Sequence, residues 1–248
     1  MRLEEYLGTL PRGIMSGEDV QLPDRAYREI LQLAEVGPDD VFYHLGSGDG
    51  RAVNMAAAEF GARAVGIEMD NGKCSAAGEH GGPRTEFRNQ DVRDADISDA
   101  TVILFWFADE EVISSMMPKF GLLQDGCKVA TLWGPLPGYM PYKVRFPFVI
   151  NRAPFEAAPG LGEQLLAVFG VKCIDFVTAW EHSERYTKAI ELADAENNRF
   201  VTILQTVVTW INASNLGVAC GEGVPDSIST YMGILRNFYG IETKHLLD

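Results

Sequence analysis

Up to about residue 155 the apolar positions come in short runs separated by turn residues, and beyond it they fall on helical stripes. Residues 1–22 show no clear period. The first organised stretch opens at Pro23-Asp24, where Ala26, Tyr27, Ile30, Leu31, Leu33 and Ala34 share one helical face until Gly37-Pro38 stops it. Val41 to Leu45 reads as a short strand. It is followed by the glycine turn Gly46-Ser47-Gly48-Asp49-Gly50, an alanine-rich helix from Ala52 to Phe60 ended by Gly61, and a second buried strand, Ala64 to Ile67. Strand, turn, helix and strand in this order make one right-handed unit of a parallel sheet.

The alternation continues through a polar segment holding Glu86-Phe87-Arg88 and an acidic loop from Asp91 to Asp99. The apolar run Val102 to Phe107 predicts a fully buried strand, Glu110 to Phe120 a helix, and Cys127 to Trp133 a further strand. Pro147 inside the stretch Tyr142 to Ile150 predicts an edge position or two short strands. In the second part, Tyr186, Ile190, Ala193, Asn197, Phe200, Leu204, Val207 and Ile211 repeat at 4-3 spacing and predict one long amphipathic helix. Ile228, Tyr231, Leu235 and Phe238 form the stripe of a partner helix over 225–239. Within 155–182, Gln164 to Phe169 reads as helix while Val171 to Trp180 suits either state, and helix is expected. The expectation is an α/β, doubly wound, mostly parallel sheet domain over 1–155 and a helical C-terminal domain over 156–248.

At 248 residues, 46% apolar and 23% charged, the composition is that of an ordinary globular chain. The most apolar stretch, Phe200 to Ile211, is broken by Thr202, Gln205, Thr206 and Thr209, so no membrane span is expected. Glu4 and Glu5 stand where a signal peptide carries Lys or Arg, and the expected location is cytoplasmic. A net charge of −14 works against a polyanionic partner. Two loose basic clusters, Arg84/Arg88/Arg93 and Lys143/Arg145/Arg152, keep nucleic acid open. Cys74, Cys127, Cys173 and Cys220 lie far apart without a CxxC pair, so free thiols and no metal site are expected. Asn212-Ala213-Ser214 matches a glycosylation sequon by chance.

The chemistry concentrates at the glycine turn. Gly46, Gly48 and Gly50 let a ligand approach the backbone where a strand end meets a helix N-terminus. A GxGxxG dinucleotide fingerprint would need a third glycine where this chain has Arg51. Glu68 ends the next strand, where a carboxylate can accept from both ribose hydroxyls. Asp91 can accept from an adenine amino group, and the Val92 N–H can donate to a ring nitrogen.

Together, YHLGSGDGR at 43–51, VGIEMD at 65–70 and NQDV at 89–92 resemble the cofactor motifs of Rossmann-like S-adenosylmethionine-dependent methyltransferases. The phrasing LGSGDGR…AAAEFGARAVGIE, with PDRAYREILQLAEVGPDDV before it, is most similar to the Dot1-like lysine methyltransferases and their short archaeal relatives, over about residues 20–150. The resemblance implies a seven-stranded-type sheet and S-adenosylmethionine as cofactor. It also implies a binding set of His44, Gly46, Ser47, Gly48, Asp49, Gly50, Glu68, Met69, Asp91 and Val92. The family usually has an acidic residue where this chain has His44, which is as readily a buried core residue as a cofactor contact.

Methyl transfer asks mainly for placement of a nucleophile against the donor, and a lysine must arrive neutral. Trp106 is the candidate wall of an acceptor slot and Asp109 a second candidate, with Phe105 and Phe107 expected in the core. LFWFAD at 104–109 is not the [DN]PP[YFW] turn of adenine amino-methylating enzymes. A protein lysine is the leading substrate; RNA, or a noncatalytic adenosyl-ligand scaffold, is the alternative. The helical tail, with Asn197 at a seam position, either packs on its own chain or forms a homodimer contact.

Overall fold

The computed structural model describes residues 22–107, 109–190 and 195–247. Residues 22–158 form one compact unit and 159–247 belong to a second.

In the first unit, helix α1 (Asp24–Leu33) follows Pro23, whose fixed φ suits a helix entry, with Asp24 complementing the helix dipole. Strand β1 (Val41–Leu45) runs into the glycine turn. Helix α2 (Arg51–Phe60) ends at Gly61, which is left-handed at φ 75° and caps the helix through N–H bonds from Gly61 and Ala62 to the Ala57 and Ala56 carbonyls. Next come β2 (Arg63–Glu68), α3 (Asn71–Glu79), β3 (Thr85–Asn89), β4 (Val102–Phe105), α4 (Glu110–Phe120), β5 (Lys128–Leu132), β6 (Lys143–Arg145) and β7 (Phe148–Arg152).

The seven strands lie in the order β3-β2-β1-β4-β5-β7-β6, parallel from β3 to β5, with β7 antiparallel to both β5 and β6. Pro147 divides β6 from β7, giving the two short strands its position predicts. The chain leaves β1 toward β2 and later returns to lay β4 on its other side. The β1/β4 junction is therefore the topological switch point, outside whose carboxyl ends such sheets bind ligands. One face buries Tyr43, Leu45, Ile67, Ile103, Phe105 and Val129 against Met116 and Phe120 of α4. Truncating the fully buried Phe120 to Ala would cost about 3–5 kcal/mol.

Strand β4 stops at Phe105, two residues short of the expected Phe107, so alternation no longer fixes where Trp106 and Phe107 point. Helix α3 carries no apolar stripe, with only Cys74 and Ala77 buried, and its sequence gave no helical signal.

The second unit contains α5 (Leu161–Phe169), α6 (Phe176–Ile190), α7 (Ala195–Asn215) and α8 (Asp226–Tyr239). Helix over all of 155–182 is corrected: Gly170 ends α5 at φ 72°, and Ile174 is extended and bridged to Ala219. The single helix expected across 186–211 is also corrected, because α6 and α7 pack on each other and Thr202 Oγ1 donates to Thr187 Oγ1 at 3.0 Å. In one continuous helix those residues would stand about 22 Å apart. Thr187 and Thr206 each also donate to the carbonyl four residues back, and the Thr202 hydroxyl lies 2.9 Å from the Asn198 carbonyl as an alternative acceptor for its one proton. The side chain of Asn197, assigned to the seam, lies outside the described residues.

The expectation of four free cysteines is corrected as well. Cys74 and Cys127 are free and buried, but Cys173 and Cys220 form a disulfide. The pairing is set by backbone alignment, Ile174 N–H to Val218 O and Cys220 N–H to Ile174 O, each at 2.9 Å, which no Cys spacing reveals. Among the described residues no helix is long and apolar enough to cross a membrane.

Candidate active site

The glycine loop after β1 is left-handed at three positions, Gly46, Gly48 and Gly50, with φ of 75°, 55° and 78°. A Cβ on Gly50 would lie 2.6 Å from Phe87 Cε1 and 2.9 Å from Ala77 Cβ, so this glycine makes room for α3 and β3 within the protein. A Cβ on Gly46 would lie 3.0 Å from Phe107 Cζ. Gly46 and Ser47 N–H both donate to the Ile67 carbonyl, which seats the loop on the end of β2.

Glu68 ends β2 half-buried. One carboxylate oxygen accepts from Gly48 N–H and the other from Asp70 N–H, each at 2.8 Å. A carboxylate has about four lone-pair sites, so capacity remains for two ligand hydroxyls. Met69, beside it, is 71% exposed, which leaves its flexible thioether free to lie on a flat apolar surface. Asn89 binds the Glu68 and Met69 carbonyls through its amide nitrogen and fixes this strand end.

Asp91 lies past the end of β3, held by Arg93 in a two-point ion pair with a shortest distance of 2.6 Å. The Arg93 guanidinium and backbone N–H hold the Asp91 carboxyl below its ordinary range. The Val92 side chain is buried in the sheet core, so what it can offer a ligand is its backbone N–H.

His44 is 6% exposed and meets the Tyr27 ring of α1 edge-on at 5.9 Å. Burial pushes its pKa down to about 4, with nearby Asp49 opposing the shift, so the ring is neutral at pH 7. Its Nδ1 and the hydroxyl of Ser47 are buried without a hydrogen-bond partner among the described residues. Asp49 is exposed and ion-paired with Arg51 at 2.8 Å.

Trp106 and Phe107 are half-buried past the end of β4. Phe107 packs on Phe105 at 5.0 Å between ring centroids and against the sheet core, as expected, and its half-buried ring also reaches Gly46. Together with Ile113 of α4, Thr131 and Leu132 of β5 and the strap Gly134–Pro137, these aromatics line a pocket of about 150 Å³. Thr131 contributes the one side-chain hydroxyl among the lining residues, and it donates to the Gly134 carbonyl at 2.6 Å. Trp133 opens the strap at φ 72°, a strained value for a bulky residue. Sequence reasoning missed Phe107 and the strap. The proline-glycine density from Gly134 to Gly138 was the available signal for a structure that lines rather than packs.

Asp109 does not reach this pocket. It caps α4, accepting from Glu111 and Val112 N–H at 2.8 and 3.2 Å. A larger groove of about 420 Å³ lies between α3 and β3, lined by Asn71, Cys74, Phe87 and Asn89 among others, away from the switch point.

A family model described as "Histone methylation protein DOT1" matches residues 21–81, which run from the start of α1 past the glycine loop and Glu68. A protein-lysine N-methyltransferase of Saccharolobus islandicus (strain REY15A) is 31% identical over 134 residues, covering 50% of this chain and 81% of that protein. The chain belongs to the Dot1-like methyltransferases. An RNA methyltransferase from Salinibacter ruber, crystallised with S-adenosyl-L-homocysteine, is similar to this Dot1-like chain at 33% identity and a TM-score of 0.52. The match covers 57% of this chain and 99% of that one. The Dot1-like enzyme takes its methyl group from S-adenosylmethionine, and its strand-end crevice fits that donor. The crevice offers a glycine loop of positive φ, a strand-end carboxylate with acceptor sites to spare, and an exposed thioether.

Proposed function

We propose that this chain methylates a protein lysine amine. The loop Gly46–Gly50, with Ser47 and Asp49, would hold the methionine and ribose portion of the donor, with buried His44 supporting the loop from below. Glu68 accepts from the ribose hydroxyls, and Met69, Asp91 and the Val92 N–H border the adenine. The donor supplies a methyl group on a sulfonium, and positive charge falls at that sulfur as the group departs.

The observation that carries the acceptor assignment is the pocket beside Gly46: aromatic and proline-walled, with no carboxylate, imidazole or phenol among the described residues that line it. An alkylammonium entering it loses hydration with no anion in return, which favours the neutral, nucleophilic amine. Phe107 touches the loop and lines the pocket, so it spans the border between donor and acceptor. The named activity of the Saccharolobus relative supports a protein substrate.

The Salinibacter relative supports RNA as the second reading. The cations that would favour RNA are already engaged. Arg88 pairs with Glu86, Arg93 with Asp91, Lys143 with Glu35 and Arg145 with Glu29, while Arg84 binds the Gly61 carbonyl and Arg152 lies over the Tyr142 ring. Phosphate binding needs uncompensated charge; only Arg84 and Arg152, which meet a carbonyl and a ring, keep theirs, and the pairing of the other four favours protein.

The test is a calorimetric titration with S-adenosylhomocysteine, followed by radiolabelled methyl transfer to extract treated with protease or with ribonuclease. The expected label survives ribonuclease and disappears with protease. The opposite pattern would assign RNA, and tight binding without transfer would assign a noncatalytic adenosyl-ligand scaffold. Glu68→Ala is expected to weaken binding roughly 10- to 150-fold, the loss of two charge-assisted hydrogen bonds.

A further inference from the structure

The side of the glycine loop toward α1 carries contacts that converge on Arg51. Its Nε donates to Asp49 Oδ2 at 2.8 Å, its backbone N–H to Asp49 Oδ1 at 3.1 Å, and its Nη1 to Asp24 Oδ1 at 3.0 Å. The guanidinium carbon stands 5.8 Å from the centroid of the Tyr27 ring, and Tyr27 in turn meets His44. One cation therefore joins the loop, the first turn of α1 and, through Tyr27, the end of β1. Its bulk is tolerated at the start of α2 because the side chain runs sideways onto α1 rather than down onto the sheet.

The loop has reason to need this tie. Its three glycines hold positive φ, and glycine gives up the most backbone freedom when ordered. On the β2 side Gly48 N–H is held by Glu68, the same carboxylate assigned above to the ribose. The ribose would thus share a carboxylate with Gly48, whereas the α1 side of the loop is held through Arg51, which the donor is not assigned to touch.

We propose that Arg51 is a positioning residue that ties Asp49 to Asp24, keeps the glycine loop in its donor-binding form and so sets affinity for adenosyl ligands without touching the reacting atoms. This rests on the loop being the donor site. The ion pairs are half-exposed, with side-chain exposures of 39% for Arg51, 47% for Asp49 and 60% for Asp24, so they add little to global stability and are weakened by salt. Lysine is a poor replacement for the arginine, because its ammonium lacks the planar fork that meets two carboxylates while lying near a ring face.

The experiment compares wild type, Arg51→Ala, Arg51→Lys, Asp24→Asn and the Arg51→Ala/Asp24→Asn double variant. The readouts are calorimetry with S-adenosylhomocysteine, hydrogen exchange of the free protein and thermal melting. Arg51→Ala is expected to weaken binding roughly tenfold, the penalty when a ligand must select a less populated loop form. The Gly48 and Gly50 amides should exchange faster while the melting temperature moves by only a few degrees at most, about the effect of one exposed pair. Arg51→Lys should recover little of the loss. Asp24→Asn should weaken binding on its own but add nothing to Arg51→Ala. Wild-type affinity and exchange in Arg51→Ala would overturn the proposal, as would an affinity loss matched by a large fall in melting temperature. If wild type itself fails to bind the ligand, the donor-site assignment falls, and exchange at Gly48 and Gly50 still decides whether Arg51 orders the loop.

Discussion

The crevice at the ends of β1 and β2 and the pocket at the ends of β4 and β5 open on the same edge of one sheet, yet they are made differently. The crevice is mostly backbone: glycines of positive φ, N–H groups, and one carboxylate that already holds two of those N–H groups. The pocket is mostly side chain: rings, prolines and aliphatic groups brought from segments as distant as residues 105 and 137. A backbone site is intolerant because its shape is the fold itself. A side-chain pocket can be altered one group at a time while the fold persists.

The harshest test of that contrast is Gly50→Ala. A methyl group there overlaps Phe87 and Ala77 at a φ that alanine disfavours, so a loss of about 3 kcal/mol in stability to urea is expected, together with loss of ligand binding. A stable Gly50→Ala protein that binds normally would mean the loop is not rigid in the sense argued.

Buried His44 gives the next largest effect. Its folded pKa of about 4 lies below its ordinary value of 6.5, so the neutral ring's contribution is complete above pH 6.5 and is lost as the pH falls toward 4. The span corresponds to about 3 kcal/mol. Unfolding free energies measured from pH 7 to 4.5 should fall more steeply for wild type than for His44→Leu; parallel profiles would show that the ring is solvated.

On the pocket side, Trp106→Ala should reduce kcat/KM for the acceptor roughly 10- to 100-fold and leave S-adenosylhomocysteine affinity within about twofold. An unfolded protein would return Trp106 to the core. Smallest is Asp109→Ala, which removes a helix cap and should cost about 1 kcal/mol of stability with no change in transfer. A tenfold loss of transfer at unchanged stability would make that carboxylate part of the chemistry.

The same contrast explains how much of the fold and site is legible in the sequence. The glycine loop, Glu68 and the strand-helix alternation around them are local: each signal lies within a few residues of the structure it specifies. The parallel character of the sheet follows from those units and their right-handed crossovers, whereas the strand order rests on long-range pairing that no local signal carries. The aromatic pocket is half legible in the sequence: Trp106 stands out, but the end of β4 at Phe105 depends on where pairing with β1 and β5 stops, not on the apolar run itself. Helix α3 was invisible because α3, with Gly72 and Gly78 in it, carries no stripe, and what fixes it is the Asp70 carboxylate capping Lys73 N–H and packing on β2 and β3. The break between α6 and α7 was hidden for the opposite reason: the stripe continues on both helices, and periodicity alone cannot tell one rod from two.

The bond between Cys173 and Cys220 makes a ring of the chain between two residues 47 apart in sequence, with α6 and α7 strung along it. In polymer terms such a closure removes about 4 kcal/mol of freedom from the unfolded chain. It also changes what a cut means. A protease that cleaves once inside the ring leaves a single covalent molecule with two new ends, which parts into two fragments only when a thiol is added.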